Sequence, residues 1–343
     1  MRPLVLIILL TVTLCCCTRT GSVFPETYGF SLAPDNLAGN SFMHMRLLDS
    51  VGLRLKTASG EAVTELSGLA WDEDEELLYA VSDEGVLHHL RLEIVGDHIE
   101  KVQLISSFPL LDKEGDVLST GRSDSEGLAL LNGANGRKGD SLLLVSFEHK
   151  PRVVRYTPRG EFIAGLELPR KLRAKKNYRG NNKMLESVVV HEDFGVLTAA
   201  EYPLRDSAMD EHTLYGVRGR EFHFPASGAK KSAVTGLTTL ENGNILVLER
   251  AWAGLQYPIV ISLREVKIWE CDSRQRCPVK DLAVLSSAEG WYMDNFEGIT
   301  HYRDDRYLMV SDDNRSSLQS TILVFFSLLP ESAGPQREEG RHP

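Results

Sequence analysis

The feature that most narrows what this chain can become is a short pattern that returns five times. A strand-like segment opens with Ser67-Gly68-Leu69-Ala70, and its counterparts are Glu126-Gly127-Leu128-Ala129, Glu186-Ser187-Val188-Val189, Thr235-Gly236-Leu237-Thr238 and Glu297-Gly298-Ile299-Thr300. Each opening leads through a turn into a second apolar run that ends in acid: Asp83-Glu84, Glu148, Glu201, Glu249 and Asp312-Asp313. From opening residue to first acid the spacing is 16, 22, 15, 14 and 15 residues, and the long case carries the turn insertion NGANGRKG. Further strands follow each hairpin, such as RVVRYTP with FIAGLELP, so the unit is a four-stranded antiparallel sheet whose openings recur every 49 to 62 residues. Units of this size stack around an axis as propeller blades, because one small sheet cannot bury its own faces. A β-sandwich would demand no such register between the acids.

The remaining sequence agrees. Runs such as LLYAVSD, SLLLVSF, NILVLER, PIVISL and TILVFF are rich in β-branched and aromatic residues and are punctuated by Gly, Asn, Asp and Pro. No stretch carries a sustained helical stripe bracketed by caps, so helices are confined to short pieces in loops or near the N-terminus. The sequence therefore predicts an all-β propeller of five or six four-stranded blades over residues 61–330. In the last unit TILVFFSL is the third strand, and a strand from SFMHMRLLDSVGLRL, in the N-terminal segment 18–60, can complete that sheet and close the ring. The length of that segment also leaves room for a sixth, degenerate blade. Residues 331–343 are expected to form a disordered tail.

Residues 1–17, MRPLVLIILLTVTLCCC, place one positive charge before an apolar run too short to span a bilayer comfortably, the pattern of a secretory signal. Leu14-Cys15-Cys16-Cys17 loosely matches a bacterial lipobox with Cys17 as the lipidated residue, so two readings stay open: an ordinary cleaved signal, or a lipoprotein attached to a membrane by its N-terminal lipid alone. Both send the chain out of the cytoplasm, to the periplasm or to the outer membrane of a bacterium. In an oxidising compartment Cys271 and Cys277, inside ECDSRQRCP, suit a disulfide across a small loop. A zinc site is a weaker reading, because no histidine stands near them.

The chain carries a formal charge of −10, which argues against a nucleic-acid partner. In a propeller the first strand of each blade is innermost and the second runs back beside it, so strand openings and second-strand ends meet at one mouth. Glu126, Glu186 and Glu297 come from openings, while Asp83, Glu84, Glu148, Glu201, Glu249, Asp312 and Asp313 come from second-strand ends. Carboxylates crowded in this way repel one another unless a cation neutralises them. An oxygen-rich set suits Ca2+, with another divalent metal as the variant. The alternative is that each acid only accepts backbone N–H groups of the adjoining blade.

Loops at the same mouth are basic. RKLRAKKNYRGNNK, from Arg170 to Lys183, holds seven Lys or Arg residues just before Glu186, and Arg122 precedes Glu126. Basic loops over an acidic floor suit an anionic ester, with Arg or Lys on the anion and a metal on the phosphoryl oxygen; a solvated charged loop is the bland alternative. Arg122, Lys150, Lys183 and Arg315 are the candidate substrate contacts, and Arg250, Trp252, His149 and Asn314 are further mouth candidates. His88, His89, His191 and His301 lie inside strand runs and read as ordinary sheet residues. The sequence lacks a nucleophile elbow, a zincin helix and a phosphate-binding P-loop.

Taken in order, SGLAWDEDEELLYAVSDEG, SDSEGLALL, NKMLESVVV with TAAEYPL, VTGLTTLENGNILVLERAW and NFEGITHYRDDRYLMVSDDN resemble the phytase-like family, described as "esterase-like activity of phytase" and found in exported bacterial proteins. The likeness covers roughly residues 60–330. It implies a propeller-like fold and acids that support phosphoesterase chemistry, and it attaches to Asp83, Glu84, Glu126, Glu148, Glu186, Glu201, Glu249, Arg250, Glu297, Asp312, Asp313 and Asn314. The chain departs from the pattern at Ser67 and Thr235, which stand where the other openings carry Glu or where Glu is expected. The leading expectation is an exported, metal-dependent hydrolase of phosphate monoesters or diesters. Glu126, Glu186, Glu297 and Arg250 would be its catalytic groups, the second-strand acids its metal ligands, and a small anionic ester its substrate. The rival is a non-catalytic, calcium-stabilised binding propeller of the cell envelope.

Overall fold

The computed structural model describes residues 25–329, apart from 36 and 317. The signal segment with Cys17 and the tail from 331 onward lie outside these residues.

Five antiparallel sheets follow one another along the chain. Blade 1 contains Leu66–Asp72, Leu77–Ser82, Val86–Val95 and His98–Pro109, and blade 2 contains Ser125–Leu131, Leu142–Phe147, Arg152–Tyr156 and Phe162–Gly165. Blade 3 is built from Leu185–His191, Gly195–Ala200, Glu211–Gly216 and Glu221–Pro225, and blade 4 from Ser232–Thr239, Ile245–Ala251, Val260–Val266 and Val279–Ser286. Blade 5 takes Asn295–Arg303, Arg306–Asp312 and Ile322–Leu328 from the end of the chain and its fourth strand, Met45–Leu53, from the beginning. Ile322 lies opposite Gly52 and Leu328 opposite Met45, so the two ends of the propeller are sewn together by one antiparallel ladder. The N-terminal segment thus closes the fifth blade, and the ring has five blades rather than six.

The first strand of each blade packs against the first strand of the next, including blade 5 against blade 1. Side chains on successive strand positions point to opposite faces, and here both faces are buried. Leu246 and Leu248 enter the core between blades 4 and 5, whereas Ile245 and Val247 enter the core between blades 3 and 4. Five such cores, one per junction, account for the strands reading as continuous apolar runs instead of alternating ones. Each fully buried leucine contributes about 1.5–3 kcal/mol.

Around the axis the inner strands approach so closely that side chains have no room at one position. A Cβ on Gly127 would sit 2.6 Å from the Cα of Ser187, and one on Gly236 would sit 2.6 Å from the carbonyl oxygen of Glu297. Just below, Leu69, Leu128, Val188, Leu237 and Ile299 constrict the channel to about 10 Å³, too little for more than a single water. The propeller therefore has a closed floor and two separate mouths.

The cysteines form a disulfide, Cys271–Cys277. It closes the loop between the last two strands of blade 4, and that loop is clipped to the outer strand of blade 3: His223 N donates to Gln275 O and Cys277 N to His223 O, both at 2.7 Å. Among the described residues, helix is limited to one turn, Arg170–Arg173, and three short 3-10 pieces.

Candidate functional site

Strand pairing decides which side chains meet at the wider mouth. In blades 1, 3, 4 and 5 the residue after each opening position pairs with the second strand as Gly68–Val81, Ser187–Ala199, Gly236–Leu248 and Gly298–Val310. In blade 2 the next pair inward is Leu128–Val145, which sets the same register. Two residues beyond the paired position on the second strand stand Asp83, Glu148, Glu201, Arg250 and Asp312. The five openings contribute Ser67, Glu126, Glu186, Thr235 and Glu297. Ten equivalent positions thus carry seven carboxyl groups, two hydroxyls and one guanidinium.

These side chains, the two hydroxyls excepted, line a cavity of about 880 Å³, together with Asn182, Lys183, Asp294 and Asn295. Glu126, Glu148, Glu186, Glu201, Glu297 and Asp312 are all buried. Ligand oxygens of Asp83, Glu126 and Glu297 lie within 4.8 Å of one another, and so do those of Glu148, Glu186 and Glu201. Ser67 donates its hydroxyl to Asp83, and Asn295 Nδ2 bridges Glu297 Oε1 at 2.8 Å and Asp312 Oδ2 at 3.0 Å. Two cations reach in. Lys183 Nζ lies 3.1 Å from Glu201 Oε2, and Arg250 lies 3.5 Å from Glu297 and 3.8 Å from Glu201.

Burial, in most cases with repulsion from neighbouring carboxylates, shifts the seven acids of the ring toward their neutral form. Burial, reinforced by Asp312 and Asp124 and opposed by the Ser67 hydrogen bond, pushes Asp83 up to about 8. Burial, with Asp124 and Glu201 beside it, likewise pushes Glu148 up to about 8, and a hydrogen bond ties Glu148 to Glu186. Glu126 and Glu186 are raised well above the usual carboxylate range by burial and then by neighbouring carboxylates. Glu297 is also raised by burial, although Arg250 pulls it down. Asp312 rises to about 6 through burial, restrained by the Asn314 N–H. A group of acids that cannot ionise together is a group that needs protons or cations. Converging carboxylate oxygens are the donors a hard divalent cation takes, so these residues fit one.

Several predicted contributors lie elsewhere. Glu249 is fully buried and faces away from the cavity, where Arg264 meets it at 2.7 Å, Ser232 Oγ donates at 2.7 Å and the Ser227 N–H at 2.9 Å. The reason is the strand alternation: Arg250, its neighbour, takes the inward place. The spacing from Thr235 to Arg250 is 15, equal to that from Glu186 to Glu201 and from Glu297 to Asp312, a periodicity that marks Arg250 rather than Glu249 as the inward residue. Asp313 accepts the Glu65 N–H at 3.1 Å and the Thr321 hydroxyl at 2.9 Å, and so ties blade 5 to the start of blade 1. Glu84 is exposed and pairs with Arg315, which also binds Glu65 at 2.8 Å, on the rim outside the cavity.

The basic loop delivers one charge to the cavity, not seven. Lys171 pairs with Glu221, and Arg179 donates to the carbonyls of Pro203, Leu204 and Ser207, leaving Lys183 to face the acids. Arg122 reaches Asp112 at 4.0 Å, and Lys150 is exposed; neither lines the cavity. His149 contacts Asp124, beside Glu148. His88, His89 and His191 sit in strands with hydrogen-bond partners of their own. Asn295, which sequence reading overlooked, was legible in principle: it stands two residues before Glu297, on the same face of the same strand.

A five-bladed propeller with a blind, acid-lined mouth is the class of protein that fold and site define. The chain belongs to the phytase-like family, whose model, described as esterase-like activity of phytase, matches residues 61–315. Among solved structures, a PQQ-bound aldose sugar dehydrogenase from Streptomyces coelicolor is similar at 11% identity, over 86% of this chain and 99% of that one, with a TM-score of 0.44. A gluconolactonase from Xanthomonas campestris is similar at 12% identity, over 90% of this chain and 99% of that one, with a TM-score of 0.41. No curated protein matches the sequence.

Proposed function

We propose that this protein is an exported, calcium-dependent hydrolase of phosphate esters. The observation that carries the reading is the mouth itself, in which seven carboxyl groups occupy equivalent positions of the ring while one position carries Arg250. The family description favours ester chemistry. The disulfide favours an oxidising compartment and therefore export.

Asp83, Glu126 and Glu297, whose oxygens converge within 4.8 Å, would hold the cation. Bound there, a divalent ion supplies charge neutralisation and polarises a phosphoryl oxygen. Asn295 keeps Glu297 and Asp312 turned toward one another. Arg250 presents a planar fork that matches two oxygens of a phosphate, and Lys183 adds a second positive charge beside it. The hydrogen-bonded pair Glu148 and Glu186 retains a proton at neutral pH and neighbours Glu126 of that cation set. In hydrolysis the oxygen of water bonds to phosphorus, the ester P–O bond breaks, and the departing alkoxide takes a proton. The Glu148–Glu186 pair would donate it and recover one from the attacking water.

The test is ester turnover by the purified full chain with added Ca2+ and with chelator, on wild type, Glu297→Gln and Glu186→Gln. The proposal expects calcium-dependent turnover in wild type. Glu297→Gln should lose both turnover and the rise in melting temperature that calcium confers, whereas Glu186→Gln should lose turnover and keep the calcium response. A melting temperature that responds to calcium with no turnover on any ester would leave an ion-stabilised binding propeller in its place.

A further inference from the structure

The walls of the cavity divide by chemistry, and the division says which esters fit. Resting on the hydrolase reading above, we propose that the substrate is a monoanionic phosphodiester with a bulky apolar arm, and that a polyphosphorylated sugar is excluded. The acids come from the ring around the axis. The loops that blades 4 and 5 raise over it are apolar: Trp252, Leu255, Ile259, Tyr292, Met293 and Leu318 all line the same cavity. Four of these are exposed, with Leu255 at 100% and Leu318 at 88%.

Large apolar side chains gathered at one exposed place mark a binding surface more often than chance. Nearby Tyr257 has an internal use, since Lys230 donates to its hydroxyl at 2.8 Å and lies over its ring. Trp252 has none: among the described residues it stacks on no ring and its indole N–H finds no acceptor. An arm reaching out from a phosphoryl group held near Arg250 would meet this wall, because Arg250 and Trp252 lie on the same strand end and line one cavity.

Charge sets the other half of the specificity. Among the described residues, eight acidic side chains line the cavity against two cations, Lys183 and Arg250, and both cations already face carboxylates. Arg122, Lys150 and Arg315, which could have received extra phosphates, are outside. Each additional phosphate on a substrate would therefore find no cation to receive it among the described residues. A single negative charge with an apolar arm satisfies both halves of the cavity.

The experiment measures kcat/KM, with Ca2+, for a series of 4-nitrophenyl phosphodiesters whose second arm is methyl, hexyl or phenyl, with inositol hexakisphosphate as the polyanion. Binding of methylphosphonate and phenylphosphonate, whose arm is joined to phosphorus by a P–C bond and which carry no ester bond to hydrolyse, is measured alongside by calorimetry. The proposal expects kcat/KM to rise from methyl to phenyl and the hexakisphosphate to be the poorest substrate. The double variant Trp252→Ala/Leu255→Ser should reduce the phenyl-to-methyl preference about tenfold, through KM rather than kcat. Equal rates along the series, or faster release of phosphate from the hexakisphosphate, would overturn it. If no ester turns over, the hydrolase reading fails by itself; a phenyl-over-methyl preference in phosphonate binding then still upholds the apolar-arm site, and equal or absent binding removes it.

Discussion

In the presence of chelator, the share of thermal stability that the acids of the mouth supply should fall as pH rises from about 5.5 to about 7.5. Asp83 and Glu148 are each held up at about 8 in the folded state, whereas in an unfolded chain they titrate near about 4. Within that window the unfolded chain has released both protons while the folded protein keeps them, so the unfolded state binds fewer protons and rising pH favours it. The stabilisation is complete below the unfolded values, near about pH 4, and is gone once the pH has passed the folded ones. Each retained proton is worth about 1.4 kcal/mol per pH unit. Structural relaxation and water entry reduce the effect of two adjacent groups, so one retained proton is the working figure. Across two pH units this comes to about 3 kcal/mol, or about 5 °C in melting temperature for a chain of this size. Three buried histidines act in the opposite sense below about pH 6.5, because burial lowers His88 to about 4 and also lowers His89 and His212, so that only the unfolded chain is protonated there; comparison with the double variant Asp83→Asn/Glu148→Gln cancels their contribution. Calcium should reverse the trend, since it binds the ionised carboxylates and replaces their protons; the gap between calcium and chelator should widen as pH rises. Scanning calorimetry at five pH values, with and without calcium, measures both slopes. A wild-type melting temperature that does not fall relative to that of Asp83→Asn/Glu148→Gln through this window in chelator would show that the two acids are ionised in the fold, and the mouth would not be a proton trap.

Other consequences are local. Glu249→Ala should cost about 3 kcal/mol, because it leaves Arg264 facing a buried void, yet the calcium shift in melting temperature should persist. Cys271→Ser should cost about 2 kcal/mol, the value for so short a loop, and wild type under reducing conditions should match it in a denaturant titration. Gly236→Ala should cost about 1–3 kcal/mol by overpacking, since the new methyl would sit 2.6 Å from Glu297 O and 2.8 Å from Ile299 Cγ2. Gly165→Ala, where nothing stands within 4 Å, is the control and should be neutral. Glu84→Gln, on the exposed rim, should change melting temperature and turnover by amounts near the error of either measurement.

The sequence alone determined the blades. Five returns of a Gly-Leu type opening followed by an acid-terminated hairpin specify strand pairs, because an inner strand needs a small residue where its neighbours crowd the axis and apolar residues on both faces. The same returns placed Glu126, Glu186 and Glu297 at one mouth with Asp83, Glu148, Glu201 and Asp312, and the fragment SFMHMRLLDSVGLRL was recognisable as the closing strand. Matters that depend on a single residue of register or on the path of a loop were decided only in three dimensions. Glu249 and Arg250 are neighbours in sequence and lie on opposite faces of the strand, so whether the fourth blade offers an acid or a guanidinium turns on pairing Gly236 with Leu248. The charges of the loop from Arg170 to Lys183 look equivalent on paper, yet carbonyls of the loop from Pro203 to Ser207 capture Arg179 and Glu221 captures Lys171. The apolar wall is the furthest from sequence, because Trp252, Leu255, Tyr292 and Leu318 come from three separate loops that share no period. Periodic contacts are written in the strands, where geometry repeats; contacts between loops depend on the whole ring being closed.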